Sequence, residues 1–302
     1  MTLKEVRVAS LFLWLLSAPL LFVDEARASD RLRVTVTIPP QAWLVRQVGG
    51  DRVDVRSLVG PGDSPATFSP SDAQITGLTR SAVFFRIGVP AENAPWFRAV
   101  ERLGRPGIVD LRKGVALRRM EDHHHGGHHH GGHRHEGGFD PHIWLSPERL
   151  RIMAGTVART LTEIDPGGRE VYAQNLEVLV ALLWELEDDV RGLLAPCEAK
   201  SFFVFHPTWG YFADDFGLTQ VSIEREGKEP SESELAELTR LARAQGVRTI
   251  FVQPQFQGRS TRMLAQALGA EIKSMDPLSV DLASCLKQVA EEIRNAQCGE
   301  IE

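Results

Sequence analysis

The sequence lacks the features of several common functional classes. It has no long block of basic residues and carries a net charge of −6, which argues against nucleic acids and anionic membrane surfaces as partners. Its 3 cysteines show no CxxC or CxxH spacing, so a zinc site built on thiolates is not expected. The HExxH motif of zinc proteases is absent as well. What remains is an ordinary globular composition, with 43% hydrophobic residues.

The few cysteines still allow one disulfide bond. They are Cys197, Cys285 and Cys298. On one continuous helix, Cys285 and Cys298 would lie about 20 Å apart, which is too far for a disulfide bond. We therefore expect a disulfide that uses Cys197, and its partner is left open.

A strongly apolar run lies at the N-terminus. Lys4 and Arg7 are followed by VASLFLWLLSAPLLFV and then by the small residues Ala26 and Ala28. This order predicts a cleaved secretory signal peptide over residues 1–28. A membrane anchor is the alternative, but the run is short for a membrane span. We expect a soluble, exported protein, most simply a periplasmic one.

Strand-like and helix-like patterns alternate in both halves of the chain. Eight short runs rich in β-branched and aromatic residues are predicted to be strands, over 31–39, 52–59, 82–88, 107–111, 201–206, 219–224, 249–254 and 271–276. Among them lie amphipathic stretches that are predicted to be helices, such as PQAWLVRQVGG, SDAQITGLTR, SESELAELTRLARAQ and STRMLAQALG, and a last helix is predicted over DLASCLKQVAEEIRNAQ. This alternation predicts an α/β fold in which parallel sheets are covered by helices on both faces.

A helical region separates the two halves. Its first helix begins with Ser146 as N-cap and Pro147 at the first helical position. Apolar residues then recur in steps of four and three, which predicts one long helix over 166–194, about 42 Å in length. This helix is expected to be a rigid connector. The predicted organisation is an N-terminal α/β lobe, a helical segment and a C-terminal α/β lobe, over 29–145, 146–195 and 196–302.

Most histidines of the chain lie in one segment, EDHHHGGHHHGGHRHEGG, residues 121–138. The segment is internal and broken by glycine pairs, unlike a purification tag. Glycine-rich spacing predicts a mobile loop, and neutral imidazoles bind zinc. We predict that this His-rich loop recruits metal ions, although a low-complexity segment without function is the alternative. The auxiliary metal-binding residues would be His123, His124, His125, His128, His129, His130, His133 and His135.

Outside this segment the chain has two histidines, His142 and His206. His206 and Asp276 each end a predicted strand, and ligands of open α/β sheets bind beyond the carboxyl ends of the strands. Imidazole nitrogens and carboxylate oxygens are suitable zinc ligands. Each of these residues also has a structural explanation, as a hydrogen-bonded histidine or as a turn-forming aspartate before proline. Their coincidence with the His-rich loop favours a metal site.

Four motifs resemble those of the periplasmic zinc/manganese-type solute-binding proteins of ABC transporters (cluster A-I), in particular the zinc-specific subgroup with a His-rich loop. They are IPPQAWLVRQVGGDRVDVRSLVGPGDSP, DPHIWLSP, FHPTWGYFADDFGL and MDPL. The resemblance covers the whole mature chain, although FVQPQF carries Gln253 where the family usually has Glu. It implies two Rossmann-like lobes joined by one long rigid helix. It also implies a metal site in the interlobe cleft with the ligands His142, His206 and Asp276.

One expected ligand is missing from the first motif. The family has a histidine where this chain has Ala66, in SPATFSP, and a methyl group cannot bind a metal. Water or a histidine of residues 123–135 would complete the ligand set. Alternatively, the site between the lobes has degenerated and the His-rich loop alone binds metal weakly. His206 stands where manganese-selective relatives tend to carry Glu, which implies Zn²⁺ as the bound ion.

The resemblance implies a binding protein without enzymatic activity. It would be a monomer that captures Zn²⁺ and delivers it to an ABC-type permease, which it contacts transiently. The long helix should limit hinge opening, so that release depends on local loop movement. A periplasmic zinc buffer or metallochaperone, or a manganese- or iron-type solute-binding protein, is the alternative. A zinc hydrolase is a more distant one, because an open coordination position can activate water.

Overall fold

The computed structural model describes five stretches of the chain, over residues 31–120, 138–197, 201–224, 228–254 and 259–298. The predicted signal peptide and the eight histidines of the His-rich loop lie outside these stretches. Within the described residues, no helix combines the length and the apolar character that a membrane span requires.

The first sheet is formed by four parallel strands in the order β2-β1-β3-β4. They are β1 (Leu32–Val36), β2 (Val53–Ser57), β3 (Val83–Arg86) and β4 (Gly107–Asp110). Connecting segments contain the helices α1 (Pro39–Gly49), α2 (Asp72–Thr79) and α3 (Pro95–Leu103). Successive side chains of β3 point to opposite faces of the sheet. Phe85 belongs to the main core, whereas Phe84 packs in a cluster with Leu78 of α2 and Phe97 of α3.

The second sheet repeats this plan with the strand order β6-β5-β7-β8. Its strands are β5 (Ser201–Val204), β6 (Thr219–Ser222), β7 (Thr249–Val252) and β8 (Glu271–Ser274). Phe202 and Val204 face the main core, and Phe203 faces a second cluster. The predicted parallel sheets with both faces covered are therefore confirmed, with strands shorter than predicted.

The long predicted helix is present between the two sheets. Helix α4 (Pro147–Ile164) comes first, and Ser146 caps it by accepting a hydrogen bond from the backbone N of Arg149 at 3.2 Å. A 3-10 turn at Pro166–Gly168 follows. Helix α5 (Arg169–Leu194) then runs for 26 residues, or about 39 Å, and joins the lobes. It packs against α1 and α4 and also against a C-terminal helix, α9 (Leu282–Cys298).

Three further helices complete the second lobe, α6 (Gly210–Phe216), α7 (Glu232–Ala244) and α8 (Arg259–Leu268). Helices α7 and α8 were predicted from the sequence, whereas α3 and α6 were not. Helix α6 is short, and its first four residues are all buried, so it carries no one-sided apolar stripe. Helix α3 has two buried apolar residues, Phe97 and Val100, too few to establish a period.

Cys197 is disulfide-bonded, as predicted, whereas Cys285 is a free and buried thiol. The side chain of Cys298 is not among those described. Burial, reinforced by the nearby charge of Asp276, raises the pKa of Cys285 to about 12. A thiol in this state is a poor nucleophile and a poor metal ligand, so Cys285 acts as a core residue.

Candidate metal centre

A row of polar side chains follows the strands of the second sheet at their carboxyl ends. Glu224 follows β6, His206 follows β5, Gln253 follows β7 and Asp276 follows β8. The four residues lie in the order in which the strands lie side by side. Because the strands are parallel, these residues share one edge of the sheet, which is where ligands bind in α/β folds.

The imidazole of His206 is held by a buried carboxylate. Its Nδ1 is hydrogen-bonded to Oε1 of Glu224, a residue that is 5% exposed. The backbone N of Glu224 donates to the carbonyl oxygen of Phe205 at 3.1 Å, and Ser222 Oγ donates to the carbonyl oxygen of Glu224 at 3.2 Å. The carboxylate therefore belongs to the ordered edge of the sheet. The His206 side chain keeps 22% of its surface exposed, enough for a metal ion to reach it.

The imidazole of His142 is held in the same way. Its Nδ1 lies 2.7 Å from Oδ1 of Asp140, and the same oxygen accepts the backbone N–H of His142 at 3.0 Å. Asp140 is 1% exposed. Its Oδ2 lies 3.4 Å from Nη1 of Arg118, and its carbonyl oxygen accepts the hydroxyl of Tyr211 at 2.9 Å.

The fold brings the two histidines together. Their ring centroids are 5.7 Å apart, and the ring planes cross at 80°. In both rings Nδ1 faces a carboxylate, so Nε2 is the nitrogen that each ring would use to bind a metal ion. Two imidazoles in this arrangement can supply adjacent corners of a tetrahedral zinc site.

Asp276 does not join the two histidines in this conformation. Its Oδ1 accepts the backbone N–H of Leu278 at 3.0 Å, and it lines a cavity of about 280 Å³ together with Asp281 and Cys285. Strand β7 separates β8 from β5, which corresponds to about 10 Å between the strand axes. Among the described residues, no three His, Cys, Asp or Glu side chains lie close enough together to hold a metal ion.

In the first lobe, Ala66 stands where the resemblance led us to expect a histidine ligand, and its methyl group offers no donor atom. Ala66 is exposed and lies in a turn, where its backbone N–H donates to Ser64 Oγ at 3.3 Å. The turn is fixed to the lobe because the backbone N of Ala91 donates to the carbonyl oxygen of Pro65 at 3.0 Å. Next to Ala91, Glu92 is 1% exposed and accepts the hydroxyl of Thr37 at 2.5 Å.

The chain enters and leaves the His-rich segment next to His142. Arg119 and Phe139 form an antiparallel bridge. The backbone N of Met120 donates to the carbonyl oxygen of Gly138 at 3.1 Å, and that of Asp140 donates to the carbonyl oxygen of Arg118 at 3.0 Å. The eight histidines between these paired ends lie outside the described residues.

Two residues of this centre were missed by the sequence analysis, Asp140 and Glu224. Asp140 stands two positions before His142 in DPH, a spacing that allows an aspartate to accept bonds from the residue two positions later. Glu224 ends a predicted strand in the same way as His206. An acidic residue at the carboxyl end of a neighbouring strand was the available signal.

Two α/β lobes joined by one long helix, with paired imidazoles at a sheet edge, define a metal-binding protein of the bilobed solute-binding class. The chain belongs to the ZnuA family, zinc-uptake complex component A, periplasmic, whose family model matches residues 34–296. A crystal structure of ZnuA superposes with a TM-score of 0.80 at 35% identity and covers 88% of this chain and 99% of that one. A ZnuA deletion mutant with zinc bound gives a TM-score of 0.80 at 34% identity, over 89% of this chain and 98% of that one.

Sequence relatives agree with this assignment. The high-affinity zinc uptake system protein ZnuA of Bacillus subtilis (strain 168) is 29% identical over 254 residues, which is 82% of this chain and 79% of that protein. The zinc-binding protein AdcA of Streptococcus pyogenes serotype M3 is 27% identical over 285 residues, or 90% of this chain. The match spans 54% of AdcA, so that protein has a large region without a counterpart in the match.

Proposed function

We propose that the protein captures Zn²⁺ in the periplasm and delivers it to the membrane permease of an ABC importer. The observation that carries this proposal is the pair of imidazoles, His142 and His206, at the carboxyl edge of the second sheet in a chain of the ZnuA family. The protein binds and releases the ion and makes no covalent bond, so its chemistry is that of a transport protein and not of an enzyme. It acts as a monomer that contacts the permease transiently.

In the proposed site, His142 and His206 bind the ion first and Asp276 is the third ligand. Zinc binding then requires the Asp276 carboxylate to leave the backbone N–H of Leu278 and turn toward the histidines. The exchange is favourable because a charged oxygen gains a divalent cation in place of one neutral donor. Two imidazoles and one carboxylate favour Zn²⁺ over the harder Mn²⁺.

The fourth coordination position is filled by water or by a histidine of the His-rich loop, because Ala66 offers no donor. The position of the loop's paired ends beside Asp140 and His142 supports this role. Its eight histidines also form weak, overlapping sites that raise the local concentration of Zn²⁺ near the cleft.

The experiment that tests this proposal is a competitive Zn²⁺ titration of the mature protein, with the single variants His142→Ala, His206→Ala and Asp276→Ala beside it. We expect one tight site in the unmodified chain and its loss when either histidine is replaced. Removal of residues 122–136 distinguishes the two candidates for the fourth ligand. The tight site persists if water is the fourth ligand and is lost if a histidine of the loop is. Tight binding that survives in both histidine variants would refute the proposed site, and unimpaired zinc uptake by cells lacking the protein would refute the transport role.

A further inference from the structure

We propose that Asp140 and Glu224 are positioning residues that hold His142 and His206 as their Nδ1–H tautomers and thereby direct Nε2 of each ring to the metal ion. This inference rests on the proposed zinc site and names the residues that prepare it. Neither carboxylate is itself a ligand in this assignment.

The direction of each hydrogen bond follows from the partner. An ionised carboxylate can only accept, so the ring nitrogen that faces it must carry the proton. For His142 this nitrogen is Nδ1, 2.7 Å from Asp140, and for His206 it is Nδ1 beside Glu224. A histidine in water favours the opposite tautomer, with the proton on Nε2, where it blocks metal binding. Each carboxylate therefore selects the less common form of its ring.

Asp140 is itself fixed on both sides. Its Oδ1 receives two N–H groups of His142, from the ring and from the backbone, while its Oδ2 faces Arg118. The guanidinium of Arg118 also pairs with Asp214 of α6 at 3.0 Å. Asp140 therefore cannot rotate without breaking contacts to two parts of the chain. Because the His142 ring is hydrogen-bonded to Asp140, the orientation of the ring is fixed as well.

This arrangement makes the substitution Asp140→Asn informative. The amide NH₂ must replace one of two oxygens that both face donors. If it replaces Oδ1, it confronts the backbone N–H of His142 and forces Nδ1 to become an acceptor, which moves the ring proton to Nε2. If it replaces Oδ2, the N–H groups of the amide face the N–H groups of the Arg118 guanidinium. The contact with Arg118 that holds this side chain in place is then lost. An aspartate-to-asparagine change beside a catalytic histidine in a serine protease selects the wrong tautomer in the same way.

Glu224 is the corresponding residue on the sheet. Its backbone N–H and carbonyl groups are bound to Phe205 and Ser222, so its carboxylate extends from a fixed point of the sheet edge toward His206. Outer partners of metal-binding histidines typically contribute about 10- to 100-fold to metal affinity. We expect a loss of this size for Glu224→Gln and for Asp140→Asn.

The test has a readout that does not involve zinc. Long-range ¹H–¹⁵N correlation spectra of the ¹⁵N-labelled, metal-free mature protein report the tautomer of each neutral histidine, with His142→Gln and His206→Gln used to assign the two signals. We expect both rings to be Nδ1–H in the unmodified protein. Asp140→Asn should disturb the tautomer of His142 alone, and Glu224→Gln that of His206 alone, each with about 10- to 100-fold weaker Zn²⁺ binding. Asp165→Asn is the matched control, because this carboxylate accepts bonds from Arg52 and Tyr172 and bonds to neither His142 nor His206.

Nε2–H rings in the unmodified protein would overturn the inference, and that result does not require Asp140→Asn or Glu224→Gln to fold. Folded Asp140→Asn and Glu224→Gln variants with unchanged tautomers and unchanged zinc affinity would overturn it as well. The proposed function fails by a different result, namely tight zinc binding that persists without His142 and His206.

Discussion

Trp144 donates a hydrogen bond from its indole Nε1 to the carbonyl oxygen of Pro277 at 2.7 Å, across 133 positions of the sequence. The indole is 1% exposed. His142 precedes Trp144 by two residues, and Asp276 directly precedes Pro277. One buried hydrogen bond thus sets the spacing between the segments that carry the second and the last of the four family motifs.

Replacement of Trp144 by Phe should therefore affect both stability and binding. It leaves the Pro277 carbonyl without its buried donor, which costs about 1–3 kcal/mol of unfolding free energy. It also releases the Asp276 segment, so zinc affinity should fall. Urea unfolding and zinc titration of the same preparations measure the two effects. Trp184→Phe is the control, because Trp184 is 52% exposed and should change neither quantity appreciably, and equal effects at the two positions would contradict this account.

Restoring the histidine that the family carries in the first motif should strengthen the site. We expect Ala66→His to tighten zinc binding by at least the roughly tenfold that an outer partner contributes, because a new imidazole supplies the fourth donor. The affinity should then no longer depend on residues 122–136. Thr67→His, which places the same group on the neighbouring exposed residue, is the control. If both variants bind zinc equally well, the gain does not come from a donor placed at the position of the missing family ligand.

The start of the long helix should show a pH-dependent contribution to stability. The hydroxyl of Tyr172 donates to Asp165 Oδ2 at 2.6 Å, and this bond, with help from Arg52, holds the pKa of Asp165 below its ordinary value. Because the folded protein favours the ionised carboxylate, its contribution is complete above the ordinary pKa of about 4 and is lost as the pH falls through the lowered pKa.

Asp165→Asn measures this contribution directly. At pH 7 it should lower the unfolding free energy by about 1 kcal/mol, and the difference from the unmodified protein should shrink as the pH falls below about 4. Urea unfolding at a series of pH values provides the test. Tyr172→Phe should remove part of the effect and leave the salt bridge to Arg52, whose shortest N–O distance is 2.7 Å. A difference that stays constant with pH would contradict the ionic explanation.

Zinc binding should change the overall dimensions of the protein little. Helix α5 packs against α1 of the first lobe and α9 of the second, so a wide hinge motion would have to break helix packing at one end or the other. Small-angle X-ray scattering of the metal-free and zinc-bound protein should give nearly equal radii of gyration. A large decrease on binding would show that the lobes close as rigid bodies about this helix.

The strands and most of the helices could be predicted from sequence because their patterns are local. Runs such as RVTV and FFVF predict strands from the local sequence alone. The spacing of Tyr172, Leu176 and Leu179 in steps of four and three predicts a helix in the same way. Helix α6 could not be found in this way, since its first four residues are all buried and show no one-sided apolar pattern. Tertiary packing determines its conformation and leaves no periodic pattern in the sequence.

The candidate site was predictable only in part for the same reason. His142 and His206 were found because histidine is scarce outside one segment of the chain. The roles of Asp140 and Glu224 depend on which strand lies beside which, and the order β6-β5-β7-β8 is not encoded in any short stretch. That order also places β7 between His206 and Asp276, which explains why the third proposed ligand stands apart from the histidines.

The antiparallel pairing of Arg119 with Phe139 brings the chain together on either side of residues 121–137. Because the two flanking residues pair with each other, a change in the number of residues between them does not have to displace either lobe. Lengthening such a loop costs only about 0.6 kcal/mol for each doubling of its length. Histidines can therefore be gained or lost there, and the segment lengthened or shortened, with little effect on folding. The metal-recruiting role that we propose for this segment can therefore evolve separately from the two lobes.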